Sequence, residues 1–250
     1  MQMNGSLMKK TAGVLLLASV LGTGGCASWV GMEADPSDPL EPFNRSMFAL
    51  NQHIDTYIAK PVAEEYQKIV PEPIDRGVTN FFNNLDEIPH ATNNLLQLKG
   101  RAALSDLGRF LVNSTLGFLG FMDVASSWGM EKHDEDFGQT FGYWGAPSGP
   151  FLVLPIIGPS SLRDGAGFMV DWYTHPIWRW VGDNQVGWSL RIVEYVDERS
   201  DRLRAEKALR SAAGLDPYLF FRDSYLQHRR YQVYDGNPPP VSDDADDDLE

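Results

Sequence analysis

The chain has 250 residues, 34 acidic against 21 basic side chains, a net charge of −13, and hydrophobic residues at 43% of positions. That length suits one domain with a sizeable core. Such acidity argues against a nucleic-acid partner, which wants basic patches, and against adsorption to anionic lipid by charge alone.

Residues 1–25 are expected to be a secretory signal. Lys9 and Lys10 form a positive start, residues 11–21 a short apolar run, and Gly22, Thr23, Gly24 and Gly25 precede Cys26. The ending resembles a bacterial lipobox in which Cys26 is acylated after cleavage, although Thr23 stands where an aliphatic residue is usual. Cys26 is the sole cysteine, so an exported chain has no disulfide partner for it. Ala27 rather than aspartate follows it, which by the diderm sorting rule points to the outer membrane. Residues 26–37 read as a tether. No later stretch offers eighteen consecutive apolar residues, so no spanning helix is expected.

Asp38, Pro39 and Glu41 have the spacing of a capped helix start. Leu40, Phe43, Met47, Leu50, Ile54 and Tyr57 then mark one helical face, with Asn44, Asn51 and Asp55 beside it as groups suited to capping neighbouring loops. Lys60-Pro61 is expected to end this helix. Helices follow over 62–69, 74–85, 89–98 and 101–114, the second with Asn80, Asn83 and Asn84 unusually dense for a helix interior, where asparagine competes for backbone groups. Residues 116–125 are apolar and rich in glycine.

Residues 137–164 organise the chain. Gly138, Gly142, Tyr143, Gly145 and Gly149 lead through Pro150 into an apolar run with Leu154 and Pro155, which leaves through Gly158 and Pro159 to Arg163 and Asp164. Prolines 150, 155 and 159 rule out one uninterrupted helix. The segment reads either as an apolar loop over a core or as irregular backbone at membrane depth around a polar pathway. A leaflet is roughly 15 Å thick and a ten-residue helix about as long. Residues 116–125 and 151–157 are therefore leaflet-sized, and with a lipid anchor they suggest a protein sunk into one leaflet.

Trp172, Tyr173, Trp178, Trp180 and Trp188 suggest a membrane–water interface rather than plain core. A long charged helix over 188–213 and a last helix opened by Asp216-Pro217 and running to about residue 231 follow. Residues 235–250, acidic and rich in proline, are expected to be disordered.

The chain lacks a G-x-S-x-G elbow, a P-loop, an H-E-x-x-H and a cysteine pair. No catalytic residue, metal or cofactor is therefore assigned. His133, Asp134, Glu135 and Asp136 read as a solvated loop. Asp123, Arg163, Asp164 and Asp171 flank the most apolar segments and are functional candidates, helix caps or internal ion pairs.

Asp38-Pro39-Leu40-Glu41-Pro42-Phe43-Asn44-Arg45 resembles the opening signature of the MlaA/VacJ outer-membrane lipoproteins. So do Asn80-Phe81 with Asn84-Leu85, and Arg109-Phe110-Leu111-Val112-Asn113-Ser114 followed by Gly117, Gly120 and Asp123. The strongest match runs from Phe137-Gly138-Gln139-Thr140-Phe141-Gly142 to Leu162-Arg163-Asp164, and Asp216-Pro217-Tyr218 with Arg222 and Tyr225 closes it.

The resemblance implies an all-α, single-domain, ring-like fold over residues 38–234, embedded in the inner leaflet of the outer membrane, with an irregular hairpin. It implies phospholipid as cargo, a trimeric porin and an MlaC-like periplasmic carrier as partners, and maintenance of outer-membrane lipid asymmetry. Gly138, Gly142, Tyr143, Gly145, Gly149, Pro150, Leu154, Pro155, Gly158, Arg163 and Asp164 would then contribute to the lipid path, and Asn44 and Arg45 to the segment governing its state. The alternatives are a lipoprotein that only scaffolds a porin or envelope complex, and a tethered lipid hydrolase, for which no nucleophile–base pair is visible.

Overall fold

A computed structural model describes residues 38–209 and 216–240. The signal over 1–25, the tether over 26–37 with Cys26, and the acidic end over 241–250 lie outside the described residues, as does the stretch 210–215.

Helix α1 spans Glu41–Ile54 and is joined without a break to α2, Lys60–Ile69. Lys60-Pro61 does not end the helix. Between the two lies a π-turn, Asp55–Ala59, in which the Lys60 N–H reaches back five residues to the Asp55 carbonyl. The extra residue places Pro61 in the first turn of α2, where its missing donor is not needed. Nor does Asp38 cap α1. Its backbone carbonyl accepts from the Glu41 N–H, while its buried carboxylate turns inward to Asn44 and Tyr218.

The two helices expected over 74–85 and 89–98 form one, α3, Glu72–Leu96, with Pro89 inside it. Proline forfeits one helical donor. Packing of α3 along the whole of α4, Gly100–Thr115, carries the helix through it. Asn84 and Asn94 reach across to α4: Asn84 donates to Ser114 Oγ at 2.9 Å and Asn94 to Asp106 at 2.8 Å. Residues 116–123 form a tight irregular turn, with Phe118, Leu119 and Gly120 all at positive φ. It leads to α5, Val124–Ser127, capped by Asp123.

Next come α6, Phe137–Tyr143, and an antiparallel hairpin of β1, Phe151–Leu154, and β2, Gly158–Ser161, with Phe151 opposite Ser161 and Leu154 opposite Gly158. The chain continues into α7, Leu162–Thr174, α8, Pro176–Trp180, α9, Asn184–Leu209, and α10, Pro217–Val233. Asp216 caps α10 ahead of Pro217, as expected from sequence. Asp235 follows α10 and is held by Lys99.

Burial in this fold is inverted relative to a water-soluble one. Between α3 and α4 the buried side chains include Glu87, Asn94, Asp106, Arg109 and Asn113. On the outside, Leu95, Leu104, Leu111 and Leu119 are exposed, Leu98 at 85% and Phe118 at 70%. An apolar surface this broad is unusual against water. Against lipid tails it is expected, because hydrocarbon solvates leucine as well as another leucine does. Among the described residues no helix is long and apolar enough to cross a membrane. The apolar core is small: Phe151, Val153 and Tyr218, with Met47, Phe48 and Phe221 packed on them. Trp172, Trp178 and Trp188 pack on one another with ring centroids 5.1–5.7 Å apart, so this part of the aromatic stretch is a cluster; Trp180 stays exposed.

Candidate functional site: a hairpin beside a polar cavity

Two strands cannot stand alone in water or lipid, because each leaves an unpaired edge. Here α1 supplies the missing partner through side chains. Asn44 donates to the Phe151 carbonyl at 3.0 Å and accepts from the Val153 N–H at 2.9 Å. Asn51 does the same for Leu154 and Ile156, at 2.9 and 2.7 Å. Both asparagines hold the outer edge of β1 and its turn rather than capping a loop. Arg45 points elsewhere, to Glu41 at 2.6 Å and Asp216 at 2.9 Å, and lies over the Tyr218 ring.

At the foot of the hairpin, Ser161 caps α7. Its hydroxyl accepts from the Asp164 N–H and donates to the Asp164 carboxylate. That carboxylate also takes two bonds from Arg163, at 2.8 and 3.0 Å, one from the Tyr225 hydroxyl at 2.7 Å, and faces Arg229 Nε at 3.1 Å. Burial alone would raise the Asp164 carboxyl; the Arg229 charge and these hydrogen bonds outweigh it and hold it below the usual carboxylate range. Arg229 completes the cluster with a bidentate pair to Asp136, both bonds 2.6 Å. Asp136 in turn caps α6 through the Gln139 N–H.

The solvated-loop reading of residues 133–136 is therefore corrected. His133 bonds Asp106 at 2.6 Å, Glu135 is buried against Gln97 and Lys99, and Asp136 holds Arg229. Their partners lie 27 to 93 residues away in sequence, and a local reading has no access to them.

These groups form one wall of a cavity of about 440 Å³. Asp86, His90, Asp171, His175, Glu194 and Arg191 line the rest with Phe168 and Ile157. Burial, then the nearby Asp136 charge, pushes the Asp171 carboxyl up to about 7. Burial likewise raises Glu194. Asp86, His175 and Glu194 are close enough to suggest a cation site. Their hydrogen bonds do not suit one. His175 Nδ1 accepts from the Ile177 N–H, so Nε2 carries the proton it gives to Asp86 at 2.8 Å, and Glu194 is taken by Arg191 at 2.7 Å.

Of the sequence-derived path residues, Gly138, Gly142, Arg163 and Asp164 come together around Arg229: a Cβ on Gly138 would collide with Arg229 Nη2, and one on Gly142 would lie 2.9 Å from Arg163 Nη1. Pro150, Leu154, Pro155 and Gly158 form the hairpin and its turn. Gly149 meets Leu162; Tyr143 is exposed, and Gly145, also exposed, lies on the same side as Gly142 and Arg163. Arg229, Asp136 and Asp171 were not assigned to the path from sequence. The signal for Asp136 was its place one residue before α6, where an N-cap belongs.

An acid whose folded pKa is raised keeps its proton while the unfolded chain loses it. Asp171 therefore costs stability progressively from about pH 4 to about pH 7, and the cost is constant above that. Asp171→Asn retains an acceptor for the Phe137 N–H. It is expected to melt several degrees above the parent at pH 8, with the gap closing near pH 4. Thermal unfolding in detergent across that range checks this, and a gap that widens on acidification contradicts it.

A helical, inside-polar and outside-apolar fold with a hairpin clipped beside a polar cavity defines a membrane-associated envelope protein of lipid-handling type. The chain belongs to the MlaA lipoprotein family, whose model matches residues 36–232. It is 34% identical over 250 residues, covering 97% of this chain and 98% of the other, to the intermembrane phospholipid transport system lipoprotein MlaA of Haemophilus influenzae. It is 35% identical over 234 residues, covering 90% and 91%, to the protein of that description from Escherichia coli. A solved chain described under "Structural basis for maintenance of bacterial outer membrane lipid asymmetry" superposes with a TM-score of 0.67 at 32% identity, over 79% of this chain and 99% of that one.

Proposed function

We propose that this protein removes mislocalised phospholipid from the outer leaflet of the outer membrane and passes it to a soluble periplasmic carrier, so preserving lipid asymmetry. The observation that carries the reading is the coincidence of family membership over nearly the whole folded chain with an apolar outer surface around a polar interior cavity. A headgroup crossing a leaflet needs polar company and acyl tails need none, and these two surfaces supply both. Direction must come from elsewhere, because no nucleotide motif is present.

The remaining parts of the reading rest on the family resemblance and on the sequence. Cys26 carries the lipid anchor, the body sits in the inner leaflet, a trimeric porin surrounds or flanks it, and an MlaC-like protein receives the lipid. The residues around the hairpin, Gly138 to Asp164 in sequence, border the path, and Asn44 and Arg45 govern its state through their hold on β1 and α10.

The test is deletion of the gene, with phospholipid in the outer leaflet measured before and after complementation. Loss of the protein is expected to raise it and the intact chain to restore it. Leu154→Asp, which places a charge costing roughly 2.5–3.5 kcal/mol at membrane depth, is expected to fail where Leu154→Met succeeds. Abundance in the membrane and porin association are followed alongside. Unchanged outer-leaflet lipid on deletion leaves only a scaffold, and release of lysophospholipid or fatty acid by the purified protein points to a hydrolase.

A further inference from the structure

A second cavity, of about 460 Å³, opens on the other side of Arg229, between the loop after α6 and the C-terminal half of α10. Its lining differs sharply in charge from that of the first. It holds Arg163, Arg229 and Arg230 with Ser148 and Tyr234, and no carboxylate. In a chain of net charge −13, this pocket is walled by guanidinium groups and no acid; Arg163 and Arg229 are paired behind it with Asp164 and Asp136, and Arg230 meets no carboxylate among the described residues.

The donors are not all spent internally. Arg163 is held in place, with its side chain only 9% exposed, by the two bonds that Nε and Nη2 give to Asp164. Its Nη1 has no acceptor among the described residues and lies over Gly142. Gly142 lets the chain pass closely there: a Cβ would stand 2.9 Å from Arg163 Nη1 and 2.8 Å from Val233. Arg230 spends Nη2 on the Pro239 carbonyl, which steadies the chain after α10 and leaves the rest of its fork available. Leu226 and Val233 supply an apolar wall beside these donors. Guanidinium groups are the side chains best matched in shape and charge to phosphate oxygens, and the volume fits a headgroup with its glycerol rather than a whole lipid.

We propose that this pocket binds a phosphate group as a phospholipid presents it, with Arg163 Nη1, Arg230 and the Ser148 hydroxyl as donors and Leu226 and Val233 against the glycerol end. The proposal rests on the transport reading and names a headgroup station within it. Arg163 and Asp164, bonded to each other, connect this station to the acid-lined cavity behind them. An anion drawn toward the guanidinium side would meet repulsion beyond it, so the station sits at the edge of the polar interior.

The test uses the full-length protein in a phosphate-free detergent. Calorimetric titrations with dihexanoyl phosphatidylglycerol, dihexanoylglycerol and inorganic phosphate separate the sources. The phospholipid is expected to bind at least roughly tenfold more tightly than the diacylglycerol, as one lost charge-assisted hydrogen-bonded contact would require, and to bind more weakly as salt rises. Arg230→Glu is expected to abolish the preference with at most a small fall in melting temperature, and Arg230→Lys to keep most of it. Phospholipid and diacylglycerol binding alike, or Arg230→Glu binding like the parent, overturns the site. Inorganic phosphate binding as tightly as phospholipid overturns the headgroup assignment in favour of a free anion. In the deletion strain, Arg230→Glu that loses binding yet clears outer-leaflet phospholipid normally removes the station from the route and leaves the transport reading standing. Deletion without any rise in outer-leaflet phospholipid defeats the transport reading itself, whatever the titrations give.

Discussion

Arg109→Ala is expected to lower the unfolding free energy by about 3–5 kcal/mol, the range for removing one partner of a buried ion pair. Arg109 and Glu87 are 2% and 1% exposed and meet at 2.6 Å between α4 and α3. The rest of the guanidinium ties down the segment after α4: Nη1 donates to Ser126 Oγ and to the Met130 carbonyl, and Nη2 to both oxygens of Asp123. The alanine variant thus strands a buried carboxylate and frees the turn that displays Phe118 and Leu119. Burial already pushes the Glu87 carboxyl up against the pull of Arg109, and losing that partner pushes it up further. The paired variant Arg109→Met with Glu87→Leu removes both charges and is expected to be more stable than Arg109→Ala alone. Denaturant unfolding in detergent and membrane abundance measure both. A loss below about 1 kcal/mol for the single variant would show that the pair contributes far less than a buried pair should.

Asp164→Ala is the other severe change, again about 3–5 kcal/mol. It leaves Arg163 with no carboxylate, Arg229 with only Asp136, and the Tyr225 hydroxyl and the Ser161 cap without their acceptor. Asp164→Asn keeps hydrogen-bonding groups and loses only the charge, so an intermediate loss is expected. The carboxyl titrates below its ordinary range in the folded state. Its contribution is therefore complete above the unfolded pKa near 4 and disappears as pH falls through the folded one. The stability gap between the parent and Asp164→Asn should be full at pH 7 and shrink on acidification. A gap independent of pH would mean that the shape of the cluster, not its charge, holds α7 to α10.

The sequence and the structure agree where the physics is local. Asp216 before Pro217 marks the start of α10, and the face from Phe43 to Ile54 marks α1. They part where long-range packing outweighs a local rule. Pro89 would open a new helix in isolation, yet α4 alongside keeps α3 whole. Asp38 has the spacing of a cap but is drawn inward by Tyr218, 180 residues later. Glu135 and Asp136 look like solvent-facing acids until Gln97, Lys99 and Arg229 close on them. In the candidate site, the glycines were legible as places of close approach, and Gly138 and Gly142 are such places. The approaching group, Arg229, comes from a helix whose sequence carries no sign of its destination.

The two asparagines that hold β1 are seven residues apart on α1, and the strand carbonyls they bind, of Phe151 and Leu154, are three residues apart. Seven helical residues advance about 10.5 Å, and three strand residues about 10 Å. Helix pitch and strand pitch are thus commensurate over this one interval, like two rulers whose marks coincide twice. Inserting a single residue between Asn44 and Asn51 would swing one amide roughly 100° around the helix and unhook half the strand, while leaving both asparagines and every apolar contact type in the sequence. The fit of the hairpin is therefore stored as a distance along α1.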